Sequence, residues 1–183
     1  MATLRPTAFV LAALAAVASL APGPGLAQVV YTATLSGAAE IPPNASAGTG
    51  SVTVSFDPAS LVMVVSTSFA GLTAGTTAAH IHCCTATPGG SNIGVASPTP
   101  SFPGFPAGVQ AGNYNQGFDM DAPGSYNSAF LGIHPNLAAA RAALVDAMGT
   151  GRAYFNLHTS AFPGGELRGN LVEQPIFADG FGS

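Results

Sequence analysis

Three histidines have the residue type and the spacing of a metal site. His80 and His82 stand one residue apart within 76–83, a segment whose pattern predicts a β-strand. Because successive side chains of a strand point to opposite faces, the two imidazoles share a face. His158 lies in a second predicted strand, 152–159. Two imidazoles on one face with a third from another strand are a familiar way to hold copper or zinc, so the pattern predicts a metal site.

Two charged residues of the last predicted strand can support such a site. Glu166 and Arg168 alternate onto one face of that strand, and a short hairpin connects it to the strand of His158. A carboxylate beside a metal-binding imidazole would fix its tautomer, which would place both residues in the second shell of the site. In the alternative interpretation, Glu166 and Arg168 form a surface ion pair and the histidines are ordinary hydrogen-bonded strand residues.

The only two cysteines, Cys83 and Cys84, are adjacent in the chain, so they cannot connect distant segments to each other. A vicinal disulfide that stiffens a turn is the favoured interpretation in an oxidising compartment. Thiolates that add soft ligands to the metal site are the second. The fourth histidine, His134, stands beside Pro135 and is expected to be a solvated loop residue.

Charged residues are scarce. The chain has 183 residues, of which only 7% are charged, against about 25% in an ordinary soluble domain. The chain has four basic and eight acidic residues, which gives a formal net charge of −4. No basic patch is available to neutralise phosphates, and the composition therefore excludes nucleic acid as a partner.

The N-terminal residues 1–27 have the three-part layout of a secretory signal peptide. Arg5 precedes an apolar run over 8–21, and the small-residue site Gly25-Leu26-Ala27 follows. The run is shorter than the roughly 20 residues that span a bilayer, so no membrane span is expected after cleavage. The sequence predicts a secreted or periplasmic protein with a β domain over 28–172 and a C-terminal tail over 173–183.

Alternation of apolar and polar residues predicts an all-β fold with one short helix. The helix is expected at about 136–149, with Asn136 as its N-cap and Gly149 at its end. The strands are expected at 30–37, 51–56, 61–69, 76–83, 126–131, 152–159 and 166–172. A long loop rich in Gly and Pro is expected over 84–117, and a loop of this length is usually functional or folded on itself.

Three groups of residues resemble the CHRD domain, which occurs in chordin and in many exported microbial proteins. They appear in the order that the family has and span about residues 30–172. The groups are Leu35-Ser36-Gly37-Ala38-Ala39-Glu40-Ile41-Pro42-Pro43, Ala79-His80-Ile81-His82, and Tyr154-Phe155-Asn156-Leu157-His158-Thr159 followed by Pro163-Gly164-Gly165-Glu166-Leu167-Arg168-Gly169. The resemblance implies an immunoglobulin-like antiparallel β-sandwich or barrel, in agreement with the alternation.

Two functions are consistent with the sequence. In the first, an exported CHRD-domain protein binds copper through His80, His82 and His158. In the second, a non-catalytic structural or adhesive module binds a protein or a carbohydrate through the 84–117 loop, with Phe102, Phe105 and Tyr114 exposed as anchors. No nucleophile-elbow motif is present, so hydrolase activity is not expected. The expected partner is a metal ion or another extracytoplasmic ligand.

Overall fold

Seven antiparallel strands form the framework of residues 27–174, the part of the chain that the computed structural model describes. The strands are β1 (Val29–Ser36), β2 (Thr49–Asp57), β3 (Val62–Ala70), β4 (Thr76–Cys83), β5 (Gly112–Asp119), β6 (Thr150–Thr159) and β7 (Leu167–Glu173). Two helices, α1 (Ser128–Gly132) and α2 (Leu137–Gly149), lie between β5 and β6. The predicted signal peptide and almost all of the predicted tail lie outside the described residues.

The strands belong to one hydrogen-bonded sheet with the order β4-β6-β7-β1-β2-β3-β5. The sheet curls into a half-barrel, and every pairing is antiparallel. The all-β prediction is therefore confirmed. Within 27–174, neither helix has the length and apolar character needed to cross a bilayer.

Alternation explains why β2 and β3 form where the sequence predicts them. Val52, Val54 and Phe56 are buried, while the residues between them face outward or are partly exposed. Val54 lies opposite Val65 of β3, which is also fully buried. A strand with one apolar face gains by turning that face to the core, so the two strands are held in one register.

β6 differs because both of its faces are covered. The run from Ala153 to Leu157 is buried without interruption. One face packs in the apolar core, with Phe155 stacked on Phe102 at a ring-centroid distance of 6.1 Å. The other face carries Tyr154 together with polar residues and is closed by the segment that follows β4.

The segment 84–111 runs along the outer edge of β4 and covers it. Backbone amides of this segment donate to carbonyls of β4, as in Ala96 to Ile81 at 2.8 Å and Phe102 to Ala79 at 3.1 Å. Side chains complete the pairing, since the Ile81 amide donates to Ser97 Oγ at 2.8 Å. An uncovered edge strand would offer its backbone to other chains, and this segment removes that edge.

The predicted exposure of Phe102, Phe105 and Tyr114 is wrong. These side chains are only 2%, 9% and 7% exposed. Tyr114 belongs to β5, which begins at Gly112 inside the stretch predicted to be a loop. The residue pattern does not predict β5 because this strand is rich in Gly, Asn and Gln, which are poor strand formers.

The helix predicted at 136–149 is confirmed as α2. The side chain of Asn136 caps it by accepting from the Ala139 amide at 2.9 Å. The strand predicted at 126–131 is wrong, because Asn127 caps α1 in the same way through the Ala129 amide. The single turn of α1 buries Phe130, and a lone apolar side chain gives no helical periodicity to recognise.

Candidate metal centre

The three predicted histidines meet on one face of the sheet. β4 and β6 pair so that His80 lies opposite Asn156, His82 opposite Tyr154, and His158 opposite Ala78. Residues directly opposite each other in an antiparallel pair point to the same face, so all three imidazoles stand on one side of the β4–β6 ladder. One ring nitrogen from each lies within 4.8 Å of the other two. We call these residues the histidine cluster.

This spacing is compatible with a single metal ion. Three nitrogens bound to one ion at about 2 Å each are about 3.5 Å apart in a trigonal arrangement, so closure requires an approach of up to about 1.3 Å. His80 is 7% exposed, and His82 and His158 are partly buried. Side-chain rotation of this size is within reach of a half-buried imidazole.

Each ring of the histidine cluster uses one nitrogen to bond a backbone carbonyl. Because a carbonyl oxygen only accepts, that ring nitrogen carries the hydrogen. The pairs are His80 Nε2 with Pro100 O at 2.6 Å, His82 Nδ1 with Ile93 O at 2.7 Å, and His158 Nδ1 with Pro163 O at 2.9 Å. Three loop carbonyls therefore select the tautomer and the orientation of all three rings.

The second nitrogen of each ring has no partner. His80 Nδ1, His82 Nε2 and His158 Nε2 are shielded from solvent and make no hydrogen bond to any described residue. In a neutral imidazole whose other nitrogen donates, this nitrogen bears the lone pair that binds metals. Buried polar atoms normally find partners, so three unpartnered acceptors in one cluster call for an explanation.

Burial keeps the histidine cluster neutral at physiological pH. Loss of hydration lowers the pKa of His80 and of His158 below the usual value. Burial lowers the pKa of His82 to about 4, and the neighbouring His80, His158 and Arg168 act in the same direction. Metal ions bind the neutral imidazole, so no proton has to be displaced at pH 7.

A stack of three side chains supports His82. The Tyr154 ring lies parallel to the His82 ring, with centroids 4.7 Å apart and an interplanar angle of 6°. The guanidinium of Arg168 covers Tyr154, with its Cζ 3.5 Å from the ring centroid. Arg168 thus reaches the histidine cluster through Tyr154. Tyr154 was not predicted as a site residue from the sequence, although its position opposite His82 follows once the register of β4 and β6 is known.

The structure does not bring Glu166 to the histidine cluster, contrary to the expectation that it approaches His158. Gly165 has a φ of +129°, the Glu166 amide donates to the Leu157 carbonyl at 2.7 Å, and no hydrogen bond joins the Glu166 carboxylate to His158. The tautomer of His158 is fixed by the Pro163 carbonyl instead.

Glu166 forms its own buried centre. Its carboxylate is fully inaccessible to solvent and accepts from Ser46 Oγ at 2.6 Å, from the Thr73 amide at 2.6 Å and from Thr159 Oγ1. Burial alone would raise the pKa of Glu166, but these hydrogen bonds outweigh it and lower the pKa. The surface ion pair with Arg168 that the alternative interpretation offered is absent among the described residues, since both side chains are buried and no ion pair joins them.

Cys83 and Cys84 form the vicinal disulfide that the sequence favours. Neither sulfur is a thiolate in this structure, so the disulfide adds no soft ligand to the histidine cluster. The pair lines an apolar cavity of about 350 Å³ together with Phe130 and His134. His134 stands apart from the cluster and packs edge-on against Phe130, with centroids 4.7 Å apart.

The fold and the site define a class of protein, an all-β module with a buried histidine cluster at one end of its sheet. The profile of the CHRD domain matches residues 31–171, about three quarters of the chain. The chain belongs to the CHRD domain family. No curated protein and no solved structure matches it.

Proposed function

We propose that this protein is exported and that its CHRD domain binds one copper ion through His80, His82 and His158. Two observations carry the proposal: one ring nitrogen from each of the three histidines lies within 4.8 Å of the other two, and each ring has one shielded nitrogen without a partner. Leaving a polar group buried without a partner costs free energy. A cation bound by these nitrogens would remove that cost.

The donor set favours a transition metal. The histidine cluster offers nitrogen alone, whereas calcium and magnesium take oxygen ligands. The nearby carbonyls of Pro100, Ile93 and Pro163 are already occupied as hydrogen-bond acceptors of the rings. Among divalent ions that imidazole binds, copper forms the most stable complexes, which favours copper over zinc.

Export rests on the N-terminal residues and on the family. The signal-peptide pattern over 1–27 supports secretion or transfer to the periplasm. CHRD domains are typically extracellular. The vicinal disulfide of Cys83 and Cys84 is consistent with an oxidising compartment.

The adhesive alternative loses its basis in the structure. It required exposed aromatic anchors, and Phe102, Phe105 and Tyr114 are buried. The 84–111 segment instead covers the edge of β4 and supplies the carbonyls that orient His80 and His82.

Copper titration of the purified protein tests the proposal. We expect one copper per chain in the unaltered protein and in His134→Ala, the matched control from outside the cluster. His158→Ala is expected to weaken copper binding at least about a hundredfold, because one of three ligands is lost. A copper concentration 1,000 times the dissociation constant should also raise the free energy of unfolding by about 4 kcal/mol in the unaltered protein.

Circular dichroism of His158→Ala establishes that the variant is folded before its copper content is compared. Equal copper content and equal affinity in His158→Ala and the unaltered protein would overturn the proposed site. Stoichiometric zinc binding with no copper binding would overturn the choice of metal.

A further inference from the structure

A buried cation lies behind the histidine cluster. Arg168 is 0% exposed, and the stack with Tyr154 holds its guanidinium carbon within about 8 Å of the centre of the His82 ring. Its Nη1 donates to Asn92 Oδ1 at 2.8 Å and its Nη2 donates to the Gly90 carbonyl at 2.7 Å. The guanidinium is thus fixed in position.

The hydrogen-bond partners of Arg168 do not neutralise its positive charge. Both hydrogen-bond acceptors are neutral, and no described carboxylate forms an ion pair with Arg168. Glu40 attracts Arg168 at longer range, but its own carboxylate accepts from Asn156 Nδ2 at 2.6 Å. With the imidazoles neutral, Arg168 is the charged group that acts on His82, and its charge is positive.

We infer that the histidine cluster, if it is the copper site proposed above, selects monovalent copper over divalent ions. The repulsion from Arg168 grows in proportion to the charge of the bound ion, and the cost of burying an ion grows with the square of its charge. Three neutral imidazoles contribute no negative charge to offset either cost. Zinc bound by three histidines needs a water or another ligand in its fourth position, whereas three ligands are enough for monovalent copper.

Asn92→Asp is the sharpest test because Asn92 is exposed and contacts the guanidinium directly. The new carboxylate would stand where Asn92 Oδ1 now accepts from Arg168 and would neutralise the guanidinium without removing it. Asn92→Ala is the matched control, because it also loses the hydrogen bond that Asn92 Nδ2 donates to the Ile41 carbonyl and adds no charge.

Two affinities are measured for each protein. Monovalent copper is supplied as its bicinchoninate complex under anaerobic conditions with ascorbate, and zinc by competition with a chromophoric chelator. The unaltered protein should prefer monovalent copper. Asn92→Asp should shift the ratio of the two affinities toward zinc by about tenfold, while Asn92→Ala should leave the ratio unchanged.

Arg168→Gln and Arg168→Lys give a second comparison. If both fold, the glutamine variant should shift the ratio toward zinc and the lysine variant should retain the copper preference. An unchanged ratio in Asn92→Asp would overturn the inference and leave the metal site standing. Failure of the unaltered protein to bind either ion would overturn the proposed function instead.

Discussion

The histidine cluster and the Glu166 centre are two groups of ionisable side chains that both include residues of the β6–β7 hairpin, and they differ in how their polar atoms are satisfied. Around Glu166, two hydroxyls and one amide donate to the carboxylate. In the histidine cluster, each ring satisfies one nitrogen and leaves the other without a partner.

This difference separates a structural role from a functional one. A carboxylate that is fully hydrogen-bonded needs no ligand, and it joins Ser46, Thr73 and Thr159 into one unit. A set of oriented and unpartnered nitrogens contributes little to the fold and gains free energy only when something binds. Changes at Glu166 should therefore affect stability, and changes in the histidine cluster should affect binding.

The largest expected effect is on the Glu166 side of the comparison. Glu166→Ala leaves three donors without their acceptor in a buried site, so we expect a loss of about 4 kcal/mol in the free energy of unfolding, measured by urea denaturation. Glu173→Ala, which removes an exposed carboxylate from the end of β7, is the control and should change stability by about 0.5 kcal/mol or less. A loss of similar size in both variants would contradict a structural role for Glu166.

Acidification should destabilise the metal-free protein through the histidine cluster first. Above about pH 6.5, His82 is neutral in the folded and unfolded states and contributes nothing. Between about pH 6.5 and pH 4, His82 is protonated in the unfolded chain but stays neutral in the folded state, because burial lowers the pKa of His82 to about 4. Stability should fall by about 3 kcal/mol over this window.

The Glu166 centre should respond in a lower window. Its folded pKa is depressed, so its contribution is present above the unfolded pKa and is lost as the pH falls through the folded value. Urea unfolding at successive pH values, with a chelator present, measures both phases. His82→Asn should reduce the fall in stability above pH 4, with the remainder due to His80 and His158, and should leave the lower phase intact. An unchanged profile in this variant would exclude His82 as a source.

The smallest expected effect concerns one hydrogen bond to Glu166. Thr159→Val keeps the shape of the side chain and removes the hydroxyl that donates to Glu166 Oε2. We expect a loss of about 2 kcal/mol, because the acceptor is charged and the site is buried. Thr77→Val, at an exposed position of β4, is the control. Unaltered copper binding in Thr159→Val would confirm that the two centres are independent.

Local patterns made part of this architecture predictable. Alternation in β2 and β3 and the capping residue of α2 are properties of short segments, and these elements form where the sequence predicts them. β5 and α1 were missed because their segments lack a clear period and are stabilised by the strands and loops beside them. The contact between His80 and His82 is local as well, since two residues along a strand return to the same face.

Non-local contacts account for what the sequence did not reveal at the site. The carbonyls that orient His80 and His82 come from residues 20 and 11 positions away. The stack of Arg168 on Tyr154 requires the pairing of β6 with β7, and the Glu166 carboxylate is held by Ser46 and Thr73, which are far from it in the chain.

By itself, the sequence determined the family, the all-β character and the three histidines that form the cluster. Their side-chain types and their period along the strands can be recognised from short segments of the sequence. The tertiary structure alone decided which nitrogen of each ring lacks a hydrogen-bond partner. It also decided that the Glu166 carboxylate bonds to other residues and that the Arg168 cation lies close to His82. Those outcomes depend on hydrogen bonds and charges between segments that come into contact only when the strands of the sheet have paired.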